Sequence, residues 1–192
     1  MSDSQRYTGV AIALHWILAV LLVGMVFYAW NMEELKETLF AGGDVTIGEV
    51  QFAYNMHKTV GLLILALSLG RLAWRLTHPA PALPEGMASW ERLAATATHW
   101  AFYAVMIGLP LGGLVAASAA EPPTLLFNNP DLVLPKLPVP QTEDFQNVTG
   151  SVHGAGGWVI FGLLGLHVAA ALKHQFINKD GLIGRMIPFL KG

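Results

Sequence analysis

The 192-residue chain contains no cysteine. That excludes disulfides, iron–sulfur ligation, thiolate zinc sites, a cysteine nucleophile and covalent c-type haem attachment. Charge is scarce too. Asp, Glu, Lys and Arg make up 12% of the residues, against about 25% in an average soluble domain. A net charge of −2 gives no pull on a polyanion, so no nucleic-acid partner is expected. Intrinsic disorder and most soluble enzymes are excluded by the same composition.

What the chain does have is apolar length, with 54% of its residues hydrophobic. Val10–Trp30 runs 21 residues without an Asp, Glu, Lys or Arg, and Leu93–Ala120 and Phe145–Leu172 each run 28. A fourth apolar block, Tyr54–Leu76, carries Lys58 near its start and Arg71 and Arg75 near its end. About 20 helical residues cross roughly 30 Å of hydrocarbon. The apolar residues do not alternate with period two, which argues against a barrel. The expectation is an all-α integral membrane four-helix bundle. It forms one domain over residues 1–192, with helices near 10–30, 54–76, 96–118 and 152–175. The first run is long for a signal-peptide core, and no A-x-A site follows Trp30, so it reads as a permanent helix. Pro110 falls inside the third helix and should kink it. The stretch Pro122–Phe127 reads as a cap in the outer interface.

Lys and Arg in the connections set orientation. With the N-terminus inside, eight basic residues are inner (Arg6, Arg71, Arg75, Arg92, Lys173, Lys179, Arg185, Lys191) and three are outer (Lys36, Lys58, Lys136). Both termini are therefore expected on the cytoplasmic side.

Seven histidines are many for so apolar a chain, and polar side chains at membrane depth are costly and usually functional. Four are placed at depth: His15 in helix one, His57 in helix two, His153 and His167 in helix four. Following each helix across the membrane sorts them into an inner pair, His15 with His167, and an outer pair, His57 with His153. His153 and His167 are 14 residues apart, which is about 21 Å along a helix and within about 40° of one face. One helix thus offers a ligand at each of two stacked levels. Two histidines from facing helices can take both axial positions of a haem iron. The residues one turn on are Ala19, Gly61, Gly157 and Ala171, small enough to leave room for a flat macrocycle, although tight helix packing also favours small residues. After His99 the same offset gives Tyr103, which argues against His99 as a ligand. Arg71 shares the face of His57 at the depth of His167, and either pairs with a haem propionate or snorkels to the interface. Lys58, beside His57, either serves outer propionates or an anion, or snorkels. Lys173 and His174 are candidates to border a quinone, with a solvated His174 as the plainer reading.

These residues carry a family resemblance. Leu14-His15-Trp16, His57-Lys58-Thr59-Val60-Gly61, Arg71-Leu72-Ala73-Trp74-Arg75, His153-Gly154, Gly165-Leu166-His167 and the tail Ala171–Asp180 are together similar to the bacterial cytochrome b561 family of di-haem membrane cytochromes. The resemblance implies two non-covalent b-type haems, with ligands corresponding to His15, His57, His153 and His167. It also implies electron exchange between the quinone pool, ubiquinone above all, and a periplasmic redox protein or small oxidant. One branch of that family oxidises superoxide and passes the electrons to ubiquinone. Against these stands a reading of another class, a haem-free proton pathway or assembly protein that uses the same histidines.

Overall fold

The computed structural model describes residues 6–84 and 86–187. Four long helices dominate: α1 (Gly9–Phe40), α2 (Ile47–Thr77), α3 (Ser89–Ala119) and α4 (Glu143–Lys173). All four are long and apolar enough to cross a membrane. Among the described residues there is no strand, only an isolated bridge between Leu125 and Val133.

The helices outrun the apolar spans, α1 at its C-terminal end and α2, α3 and α4 chiefly at their N-terminal ends. Thr8 starts α1 by accepting from the Ala11 N–H at 3.2 Å. Thr46 and Glu49 form a reciprocal capping box at the start of α2. Thr142 caps α4, whose first turn carries Glu143 and Asp144 at the positive end of the helix dipole. α3 runs through Pro110 without a break.

The buried core is formed by Leu18 of α1, Ile64 of α2, and Tyr103 and Met106 of α3, with Leu21, Met25, Val60 and Leu67 packed around it. α4 adds nothing to this cluster. Its only buried residue among those described is Ile160, and it packs chiefly on α3, whereas α1 packs on α2 and α2 on α3. Much of α4, including Val152, Trp158, Phe161, Leu166 and Leu172, is exposed as lipid-facing residues are.

Both ends of the bundle are closed by chain segments whose backbone groups are satisfied by helix side chains, as a low-dielectric setting demands. At one end the α3–α4 connection folds onto α2. Asn55, which is buried, accepts from the Leu125 N–H at 3.1 Å and donates to Asn128 Oδ1 at 2.8 Å. Thr59 accepts from the Phe127 N–H at 2.9 Å. The expected cap over Pro122–Phe127 is present, held by these hydrogen bonds and by one turn at Leu126–Asn128. At the other end the segment after α4 returns to the bundle. The Trp16 indole donates to the Met186 carbonyl at 3.0 Å, and the buried Arg185 donates to the Ala82 carbonyl at 2.6 Å.

Replacing Thr59 by Val keeps its shape and removes the acceptor for the Phe127 N–H. A stability loss of about 1–3 kcal/mol is expected, read as a lower Tm and faster proteolysis between residues 121 and 142. Unchanged cleavage and Tm would show that the cap does not depend on this bond.

Candidate functional site

Four helices bring histidines together at two levels. His15 and His167 have ring centroids 6.2 Å apart with planes at 62°. His57 and His153 stand 5.9 Å apart at 89°. Two imidazoles on opposite sides of one metal ion, at ~2.0 Å per bond, leave their centroids about 6 Å apart. Among the described residues no group of three or more His, Cys, Asp or Glu is placed to hold a metal ion by itself. Each pair therefore offers two imidazole donors, which suits an iron whose other ligands come from a macrocycle.

The three ring nitrogens whose surroundings are defined differ in kind. His153 Nδ1 donates to the Leu109 carbonyl of α3 at 3.0 Å, which leaves Nε2 as the lone-pair nitrogen. That is the usual arrangement of a metal-binding histidine. His57 Nδ1 is buried with no hydrogen-bond partner among the described residues. His15 Nδ1 lies 3.3 Å from Arg71 Nη2, and because guanidinium only donates, Nδ1 accepts there. Arg71 is half-buried, stacks 5.5 Å over the Tyr103 ring, and takes part in no ion pair among the described residues. A half-buried cation with no carboxylate beside it calls for an anion.

The level of His15 and His167 holds a third imidazole. The His99 ring lies 5.8 Å from that of His167, and Phe102 lies 5.6 Å from it. The depth count that singled out His15 applies equally to His99 on α3. Tyr103, the large residue one turn beyond His99, is turned into the core beneath Arg71.

Gly61 and Gly157, one turn beyond His57 and His153, do not serve close helix contact. A methyl group built on either would meet no neighbouring atom within 4 Å. Gly113 is different, because its missing side chain is what lets His153 approach α3.

At the end of α4, Lys173 forms an ion pair with Glu91 and donates to Asn178 Oδ1 at 3.1 Å. His174 Nδ1 meets Asp180 Oδ2 at 2.5 Å, and its side chain is 12% exposed. His174 is thus not the solvated histidine that its surface position suggested. A π-helical turn over His174–Asn178 and a left-handed Lys179 (φ 54°) bring Asp180 back onto it. An apolar groove of about 440 Å³ opens between α3 and α4 beside His153, lined also by Gly108, Gly112, Thr149 and Val152, and neither Lys173 nor His174 lines it.

The sequence model of prokaryotic cytochrome b561 matches residues 6–189. The chain belongs to the prokaryotic cytochrome b561 family. It is 27% identical over 183 residues to "Cytochrome b561 homolog 2" of Escherichia coli, covering 95% of this chain and 92% of the relative. It is 24% identical over 188 residues to "Probable superoxide oxidase CybB" of Yersinia pestis, covering 98% and 99%. It is 26% identical to "Cytochrome b561 homolog 1" of Escherichia coli, covering 96% and 98%. Membership implies b-type haem, a membrane location and electron transport.

If Gly61 and Gly157 border a haem, alanine at either site should be tolerated, while Gly61→Leu and Gly157→Leu should fold as helical bundles with a lower haem-to-protein ratio. Full haem content in both leucine variants, measured by pyridine haemochrome, would place the haem elsewhere.

Proposed function

We propose that this chain is a single-domain electron carrier of the bacterial inner membrane that holds two b-type haems and exchanges electrons with the quinone pool. The observation that carries the reading is the pair of facing imidazoles at each of two levels. His15 and His167 hold one haem, His57 and His153 the other. Bound haem supplies reversible one-electron chemistry. A haem held by two imidazoles would carry electrons rather than bind oxygen at its iron.

The remaining residues set the conditions. Leu109 fixes the tautomer of His153 through its carbonyl. His15 in the structure accepts from Arg71, so its proton sits on Nε2. Were His15 to hold a haem through Nε2, its proton would have to sit on Nδ1, and Arg71 would need another acceptor. A haem propionate would suit its bidentate guanidinium. Lys173 and His174, gathered at one end of α4, are assigned to border the quinone headgroup. The Lys and Arg bias of the connections supports cytoplasmic termini, which puts this end, Arg71 and the His15–His167 level on the inner side.

A second reading is kept because a relative of near-equal length bears the name of a probable superoxide oxidase. Lys58, half-buried beside His57 and in no ion pair among the described residues, is the group at the outer level suited to a small anion. Rapid haem reduction by superoxide, lost in Lys58→Met, would favour that activity. Reduction only by quinol or a redox protein would favour the carrier.

His153→Ala and His167→Ala should each bind one haem per chain where the parent binds two, with the surviving haem differing between them in its reduced-minus-oxidised spectrum. Two haems in both variants would overturn the ligand assignment.

A further inference from the structure

We propose that Gly113 is a positioning residue for His153, acting by leaving the Leu109 carbonyl within reach of the imidazole. The proposal rests on His153 being an axial haem ligand. A Cβ at position 113 would lie 2.7 Å from His153 Cε1, 3.0 Å from Nδ1 and 3.3 Å from Nε2. Real Cβ atoms do not come so near a ring, so any side chain there displaces the whole imidazole. The displaced ring would lose the 3.0 Å bond to Leu109 O.

The contact is reciprocal. Gly156, one turn beyond His153 on α4, lies under the Leu109 side chain, where a Cβ would stand 2.1 Å from Leu109 Cδ1. Leu109 and Gly113 of α3 therefore interlock with His153 and Gly156 of α4. The two glycines let the helices approach closely enough for a side chain of one to reach the backbone of the other. Their neighbours show that this is local. Gly108 and Gly112 of α3 and Gly154 and Gly157 of α4 have nothing within 4 Å of a built Cβ.

The chemical consequence follows from what the Leu109 carbonyl does. An Nδ1–H donated to a backbone carbonyl makes the imidazole a stronger base and fixes its ring plane. A stronger axial base favours ferric over ferrous iron. Losing the bond should weaken retention of the outer haem, and raise its midpoint potential where it is retained.

Gly113→Ala, Gly112→Ala and His153→Ala are compared in the full-length, haem-loaded protein in detergent. The readouts are pyridine haemochrome per chain, potentiometric titration and the low-spin ferric EPR signals. Gly113→Ala is expected to lose one of two haems, or to keep both with the outer couple shifted upward and one EPR signal altered. Gly112→Ala should match the parent throughout. A Gly113→Ala protein indistinguishable from the parent overturns the proposal, as does an equal change in Gly112→Ala or loss of both haems. If His153→Ala loses a haem while Gly113→Ala is unchanged, only the positioning role fails. If His153→Ala keeps two haems, the ligand assignment itself fails.

Discussion

The structure depends on how five imidazoles are accommodated inside an apolar bundle. A polar group taken into hydrocarbon without a partner costs roughly 2–7 kcal/mol. His153 meets this cost with the Leu109 carbonyl and His15 with Arg71. His57 Nδ1 has no partner among the described residues. In the proposed reading, a haem iron between each facing pair would accept the lone pairs that remain.

The same constraint explains how α4 is held. α1, α2 and α3 share a buried core of Leu18, Ile64, Tyr103 and Met106, and α4 has no part in it. Lipid is as apolar as leucine, so a helix gains little from leaving lipid for the bundle unless it packs closely or forms polar contacts. α4 does both at restricted points: the glycine interlock with α3 near His153, the ion pair of Lys173 with Glu91, and the two histidines that face α1 and α2. Metal ligation would therefore complete the bundle as well as equip it, coupling haem binding to assembly. The folded caps at each end suit this, since they cover the helix ends nearest each histidine level.

Much of this was legible in the sequence because hydrocarbon imposes simple rules. Four charge-poor runs identified four long helices, and counting residues from the helix ends paired His15 with His167 and His57 with His153, the pairs that the fold brings together. Cap residues are legible in principle, yet Thr46 and Thr142 start α2 and α4 ahead of the apolar runs that defined them, and α1 runs on to Phe40. What sequence concealed depends on facing across helices. Gly112 and Gly113 are adjacent in sequence and differ only in that one lies against His153. That His99 stands beside His167, while Tyr103 one turn on is turned into the core, is likewise a matter of packing. His174 looked solvated because nothing local announces that a π-turn returns Asp180 to it.

The central claim is that each facing histidine pair holds one haem. It is tested most directly by a pyridine haemochrome count combined with a dithionite-reduced minus oxidised spectrum of the purified full-length protein. Two b-type haems per chain, all low-spin, are predicted. A protein expressed with ample haem that carries none, or a single haem, would contradict the account.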